Sequence, residues 1–265
     1  MLTLTGAGRG VPTVASGGGS SLPVAEDGLV LFLEADDTDT LFQTVAGTTA
    51  PADGSPIGTW QDKSGAGNHL TAAADDTARP TYRTNGGLPY LEFDGSNDVL
   101  RRLASFNLAA SGGTVLLAMR SASPAASAIP FSEGLSSNAT LRYYSVNSGG
   151  DAATTIRTGE GSYLLNTVTL YGAAFDGLDR VFGFADSNTQ VEGYLVGTAS
   201  GAPDAITKSG TLTTDRFAIG ALWRASPANW FAMRVYAVAV WDRILTSGEM
   251  GTAVAYLATK QGRTL

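Results

Sequence analysis

The stretch LFLEADDTD sets Glu34, Asp36 and Asp39 at the spacing E-x-D-x-x-D. Paired carboxylates on one strand are what glycoside hydrolysis needs, one protonated to donate and one ionised to attack or stabilise. Period-two alternation would bring Glu34 and Asp36 to the same face of a strand. Three features argue against that chemistry. Asp39 falls at the wrong parity, Thr38 and Thr40 with the doubled aspartate read as a loop, and no tryptophan is near in sequence to stack on a sugar. The stretch is therefore expected to be a solvated acidic loop.

The same aspartates could serve a cation. Calcium takes about six to eight oxygens from carboxylates and carbonyls on turns. Asp36, Asp37 and Asp39 form one candidate set, and Asp94 with Asp98 another. Neither has the spacing of a helix–loop–helix calcium site. Asx-turns, in which a short polar side chain bonds its own backbone, account for Asp94 and Asn97 equally well. His69 follows two turn glycines and is read as a packed or hydrogen-bonded residue, since it is the only histidine and the chain has no cysteine. The glycine runs at 8–10 and 17–19 lack the strand and the Lys-Ser/Thr signature of a phosphate loop. Sugar recognition would call on exposed aromatic faces, for which Trp223, Trp230, Tyr143 and Tyr144 are the candidates. The competing reading has Trp223 and Trp230 flank a surface turn and cover a sheet edge.

Bulk composition narrows the field. The 265 residues carry 24 acidic and 17 basic side chains, a formal charge of −7, and the arginines are scattered. A concentrated basic surface for nucleic acid is absent from this pattern. Without cysteine there is neither a disulfide framework nor a thiolate metal centre. The first twenty residues lack the basic and apolar regions of a signal peptide, and no apolar run reaches the length of a membrane span.

Positioning elements follow from the glycine content, 33 of 265 residues, with only 15% charged residues. Many short strands between tight turns are expected. Apolar or alternating runs occur at Leu29–Leu33, Tyr90–Phe93, Thr114–Met119, Leu141–Val146, Thr167–Phe175, Arg180–Phe184, Val191–Val196 and Phe217–Leu222. The clearest run is Phe231–Trp241, one-sided at first and apolar on both faces later, as where a loop or a neighbouring chain also covers it. Gly/Asn/Asp/Ser clusters between the runs argue for an all-β sandwich or barrel. Thr246 and Glu249 have capping-box spacing, and Met250, Val254 and Leu257 then mark one face of a closing helix. Residues 1–23 read as an arm and 24–265 as one domain.

GLVLFLEADD, TWQDKSGAGNHLTAAADDTARPTY, GLPYLEFDGSNDVL and FAMRVYAVAVWDRILTSGEMGTAVAYLATK, in this order, resemble the concanavalin A-like, laminin G-like jelly-roll family. The resemblance implies two antiparallel sheets packed face to face. It makes Trp60, Phe93 and Trp241 core or core-edge residues. It also makes Asp62, Asp94, Gly95, Asp242 and Arg243 parts of structural turns. One departure lies in the central hairpin, where Asp176-Gly177 is followed by Leu178-Asp179-Arg180 without a matching Asn-Gly, which unsettles its register.

Such domains occur in virion proteins and in carbohydrate-binding and adhesion modules. The expected role is a non-enzymatic virion surface protein, such as a phage tail, fibre or capsid-decoration subunit, released without a signal peptide. Its partners would be other virion proteins or copies of itself, a trimer among the arrangements, with contact to a host glycan. The arm would then be an assembly element anchored by Leu2, Leu4 and Val11. A carbohydrate-binding or adhesion module of a bacterial protein is the alternative, and a sandwich-fold glycosidase the third reading. No cofactor is expected beyond the calcium considered above.

Overall fold

The computed structural model describes residues 22–24, 26–72, 76–122, 125, 127–137, 142–148, 151–159, 162–171, 175–195, 198–199, 204–205, 208 and 213–265. Leu2, Leu4 and Val11 lie outside the described residues.

Two antiparallel sheets face each other. In the first, the strands run in the order Thr198–Ala199, Gln190–Leu195, Asp176–Asp186, Gly113–Ala122, Ala232–Trp241, Leu88–Asp94 and Thr81–Asn85. Leu29–Glu34 also pairs with Ala232–Trp241. The second sheet begins with Ser162–Tyr171, Asp151–Gly159, Arg142–Ser148 and Phe131–Gly134. It continues through Arg216–Ile219, Leu100–Arg102, Leu70–Thr71 and Thr59–Trp60 to Leu41–Phe42. This is the expected all-β sandwich with a short closing helix. The apolar alternation of each strand supplies one wall of the layer between the sheets, where Leu31, Trp60, Phe93, Phe131, Phe182, Phe217 and Phe231 are buried. Each such side chain contributes about 1.5–3 kcal/mol by leaving water.

The closing helix, Ser247–Thr259, starts where the capping box places it: Thr246 Oγ1 accepts from Glu249 N, and Glu249 answers the Thr246 N–H. It lays Met250, Ala253, Val254 and Leu257 on the outer face of the first sheet, against Phe32, Leu116, Tyr236, Ala239 and Trp241. Trp241 thus belongs to the layer under the helix and not to the layer between the sheets, where Trp60 and Phe93 sit. Leu22 and Val24 also pack in the helix layer.

Ala232–Trp241 shows why a run can look apolar on both faces. Its pairing with Gly113–Ala122 slips between Val235 and Ala237. Before this bulge Met233 and Val235 face the inter-sheet core; after it Val238 and Val240 do, while Ala237, Ala239 and Trp241 face the helix. Both faces are covered within the chain, one by the second sheet and one by the helix. A bulge between Asp176 and Asp179 lies against Gly113–Ala122, and the central hairpin itself pairs in unbroken register from Phe182–Leu195 to Asp186–Val191.

The motif residues hold the first strand to the loops around it. Asp62 Oδ1 accepts from the N–H groups of Phe32 and Ser64, and Oδ2 from Asn68 N and Ser64 Oγ. His69 is exposed and accepts from Asp62 N through Nδ1 at 2.9 Å, the hydrogen-bonded one of the two roles expected of it. Arg243 forms a two-pronged pair with Glu249 and donates to Asp27 O, tying the helix start to the chain before the first strand. Asp242 is exposed on the same turn.

Candidate functional site

Glu34 lies at the end of the first strand with a side chain only 1% exposed. It meets Lys63 Nζ at 2.5 Å and Lys260 Nζ at 2.7 Å, and Tyr256 donates its hydroxyl to the same carboxylate. Lys63 also pairs with Asp37, and Lys260 with Asp36. Burial by itself raises a carboxyl pKa. Here the two ammonium groups and the tyrosine outweigh it and hold Glu34 below the usual range. An ionised carboxylate walled in by two lysines has no proton to donate and no route to an anomeric carbon. Glu34 is therefore the centre of a buried ion-pair network and not part of a solvated loop, whereas Asp36 and Asp39 beyond it are exposed as the composition predicts. Lysines occupy the carboxylates offered for calcium at 36 and 37. Among the described residues no three or more His, Asp or Glu side chains converge to hold a metal.

The Asp94–Asp98 turn is built as the Asx reading predicts. Asp94 Oδ1 accepts from Ser96 N and Asn97 N, and Asp98 Oδ2 accepts from Asp94 N. Gly95 has φ +76°, and a Cβ there would stand 2.9 Å from Ala232 N and Cβ. Asp98 is buried, and burial first, then the charges of Asp94 and Glu92, push its carboxyl up to about 6 against the pull of the Asp94 N–H.

Trp223 does not present a face to solvent. It is 2% exposed, and its ring lies between the guanidinium groups of Arg101 and Arg216, each 4.7 Å from the centroid. Its hairpin is pinned to the second sheet by Ser132, whose hydroxyl donates to Ala221 O and accepts from Trp223 N. Trp230 is half-buried against the same cluster. The edge-covering reading fits these two tryptophans. Tyr143 and Tyr144 lie on a strand paired with Phe131–Gly134, and their side chains are outside the described residues.

Polar residues gather elsewhere, on the outer face of the first sheet beyond the helix. Register places Thr81 opposite Glu92, Glu92 opposite Arg234, Arg234 opposite Arg120 and Arg120 opposite Asp179, a single row across five strands. Arg83 Nε donates to Glu92 at 3.0 Å, and Arg234 stands over the Tyr90 ring at 4.8 Å. Tyr90 and Tyr236 pack at 5.6 Å between ring centroids, and the Tyr236 hydroxyl donates to Asp179. These tyrosines form the boundary between the helix layer and the polar row. Arg83, Glu92 and Arg234 keep 40%, 37% and 33% of their side chains in solvent.

Two adjoining hollows open on this row. One, of about 460 Å³, lies between Arg79, Arg83, Glu92, Asp94 and Asp98 and the loop at Gly54 and Pro56. The other, of about 300 Å³, lies between Glu92, Arg120, Ser121 and Arg234. Both share Glu92 and Phe93 as a wall. Forked guanidinium donors beside carboxylate acceptors are the groups that hold vicinal hydroxyls. Sequence reading finds Asp94 and Asp98 here but not the arginines. Their signal is a single charged residue near the end of an otherwise apolar strand, as in LLAMR and FAMR, and only pairing register shows that these residues are neighbours.

No family model matches the sequence, and no curated protein does either. Solved structures do. Trypanosoma rangeli sialidase in complex with sialic acid is similar at 17% identity and TM-score 0.60 over 91% of this chain and 35% of the sialidase. The same sialidase as a covalent intermediate gives TM-score 0.62 over 94% of this chain and 36% of that one. The chain thus spans about a third of the sialidase's length. Domain 4 of AbnA, a GH43 extracellular arabinanase from Geobacillus stearothermophilus, in complex with arabinotriose, is similar at 13% identity and TM-score 0.60, over 85% of this chain and 98% of that domain. At these identities the likeness establishes the sandwich fold. The expectation of a virion surface protein is corrected: the similar structures are a sialidase and an arabinanase domain, not virion proteins.

Proposed function

We propose that this chain is a carbohydrate-binding module that engages an oligosaccharide along the polar row of the first sheet. The observation that carries the reading is the row itself. Arg83, Glu92, Arg234 and Arg120 stand side by side, solvent-accessible, over two joined hollows, with the Asp94–Asp98 turn as rim. The arabinanase domain of similar fold, whose structure holds arabinotriose, supports the sugar class. The role is non-catalytic, since Lys63 and Lys260 neutralise and enclose Glu34, the buried member of the pair that the sequence offered for hydrolysis, and Lys260 also pairs with Asp36.

The test is calorimetric titration of the purified protein with arabino-, xylo-, galacto- and uronate oligosaccharides, alongside reducing-end release from each. Binding of at least one of them, weakened by Glu92→Ala, and no release are expected. Failure of every sugar to bind removes the proposal, and sugar release would overturn its non-catalytic part.

A further inference from the structure

Arg120 and Arg234 sit directly opposite one another on adjacent antiparallel strands. Like charges in that relationship repel across side chains whose Cβ atoms are about 5 Å apart. Arg234 is compensated by the Tyr90 face beneath it and by Glu92 at 4.0 Å. Arg120 is exposed and forms no ion pair among the described residues. The carboxylate in register with it, Asp179, instead accepts the Tyr236 hydroxyl. A chain of net charge −7 has therefore placed two guanidinium groups together, and among the described residues one of them closes no ion pair, although Asp179 stands opposite it in register.

We infer that the Arg120–Arg234 pair, at the floor of the smaller hollow, binds the carboxylate of an acidic sugar residue. This inference rests on the carbohydrate-binding reading and narrows its ligand to an anionic glycan. A planar carboxylate matches the guanidinium fork with two parallel N–H···O bonds, which an ammonium group cannot reproduce. The anion would relieve the repulsion between the arginines, and neighbouring Glu92, with 37% of its side chain in solvent, remains to meet hydroxyls. Exposure of the pair makes the attraction sensitive to salt.

The experiment titrates the full chain with trigalacturonate and with sialyllactose, and in parallel with carboxyl-reduced trigalacturonate, lactose and arabinotriose. Binding of an acidic sugar at least tenfold tighter than its neutral counterpart is expected. That advantage should fall with rising salt and vanish in both Arg120→Gln and Arg120→Lys. Thermal unfolding of the two variants should match the parent. Equal binding of acidic and neutral partners, or binding of arabinotriose alone, overturns the anionic ligand and leaves the module reading standing. Binding of none of the five overturns the anionic ligand, and failure of the xylo-oligosaccharides as well overturns the module reading too. An acidic preference that persists in Arg120→Gln also overturns the assignment, because the charge would be read elsewhere.

Discussion

Glu34 and Lys260 meet at 2.7 Å, joining the end of the first strand to the residue that caps the closing helix. Lys63 completes the contact from the loop after Trp60. Three segments remote in sequence are locked by a carboxylate that is almost wholly buried.

Removing one partner of a buried ion pair leaves an uncompensated charge, at a cost of about 3–5 kcal/mol. Glu34→Gln should fall in that range, because two ammonium groups lose their shared anion. Lys260→Met should cost about 1–2 kcal/mol, less than the general figure, since Lys63 still neutralises Glu34. The pH dependence has a definite sign. Glu34 is held below its ordinary value of 4.5, so its contribution is present above that pH and disappears as pH falls through the folded-state value. Urea denaturation from pH 3 to 7 should show an acid loss that Glu34→Gln lacks. Equal acid sensitivity in the parent and the variant would contradict this assignment.

The sandwich was legible in the sequence because alternation, turn residues and the capping box are local signals. Thr246, Glu249, Met250, Val254 and Leu257 do in the helix what their spacing requires. Two kinds of information were not local. The slip between Val235 and Ala237 changes which residues of Ala232–Trp241 face the core, and it depends on the partner strand. The polar row exists only through pairing of Thr81–Asn85, Leu88–Asp94, Ala232–Trp241, Gly113–Ala122 and Asp176–Asp186, strands scattered along the chain. Trp223 misleads for a related reason, since the arginines that flank its ring come from two other strands. Glu34 looked like a solvated acid because neither Lys63 nor Lys260 is near it in sequence.

Glu133 gives a second measurement on a buried carboxyl, which burial pushes up to about 7 against the pull of the Phe106 and Leu108 N–H groups. It is wholly buried on Phe131–Gly134 and accepts from Phe106 N, Leu108 N and Thr214 Oγ1. Only acceptors fit there. Glu133→Gln must point its amide N–H₂ at a backbone N–H on one side, and should cost about 2–3 kcal/mol although the shape is kept. Glu133→Met, which removes the polar group altogether, leaves the same donors orphaned and should cost at least as much. Guanidinium denaturation of the three proteins decides the matter. A neutral Glu133→Gln would mean that the 106–108 backbone rearranges freely, against its packing beside Phe217 through Phe106.

Asp98 supplies the pH prediction nearest the proposed site. Burial, together with the Asp94 and Glu92 charges, pushes its carboxyl up from 3.8 to about 6. Between those values the folded chain holds a proton that the unfolded chain has released, so stability must decline as pH rises through the interval. Asp98→Asn keeps an oxygen to accept the Asp94 N–H but cannot ionise. The stability difference between parent and Asp98→Asn should therefore shift in favour of the variant between pH 4 and pH 6, and level off above about pH 7. Asp94→Asn removes one of the repelling charges and should move the midpoint of that shift to lower pH. The same ionisation adds negative charge to the rim of the larger hollow, so affinity for an anionic sugar should weaken over the same interval in the parent and stay flat in Asp98→Asn. Paired denaturation and binding curves at pH 4, 5, 6 and 7 test both halves, and parallel curves for parent and variant would show that Asp98 titrates with its ordinary pKa and does not influence the site.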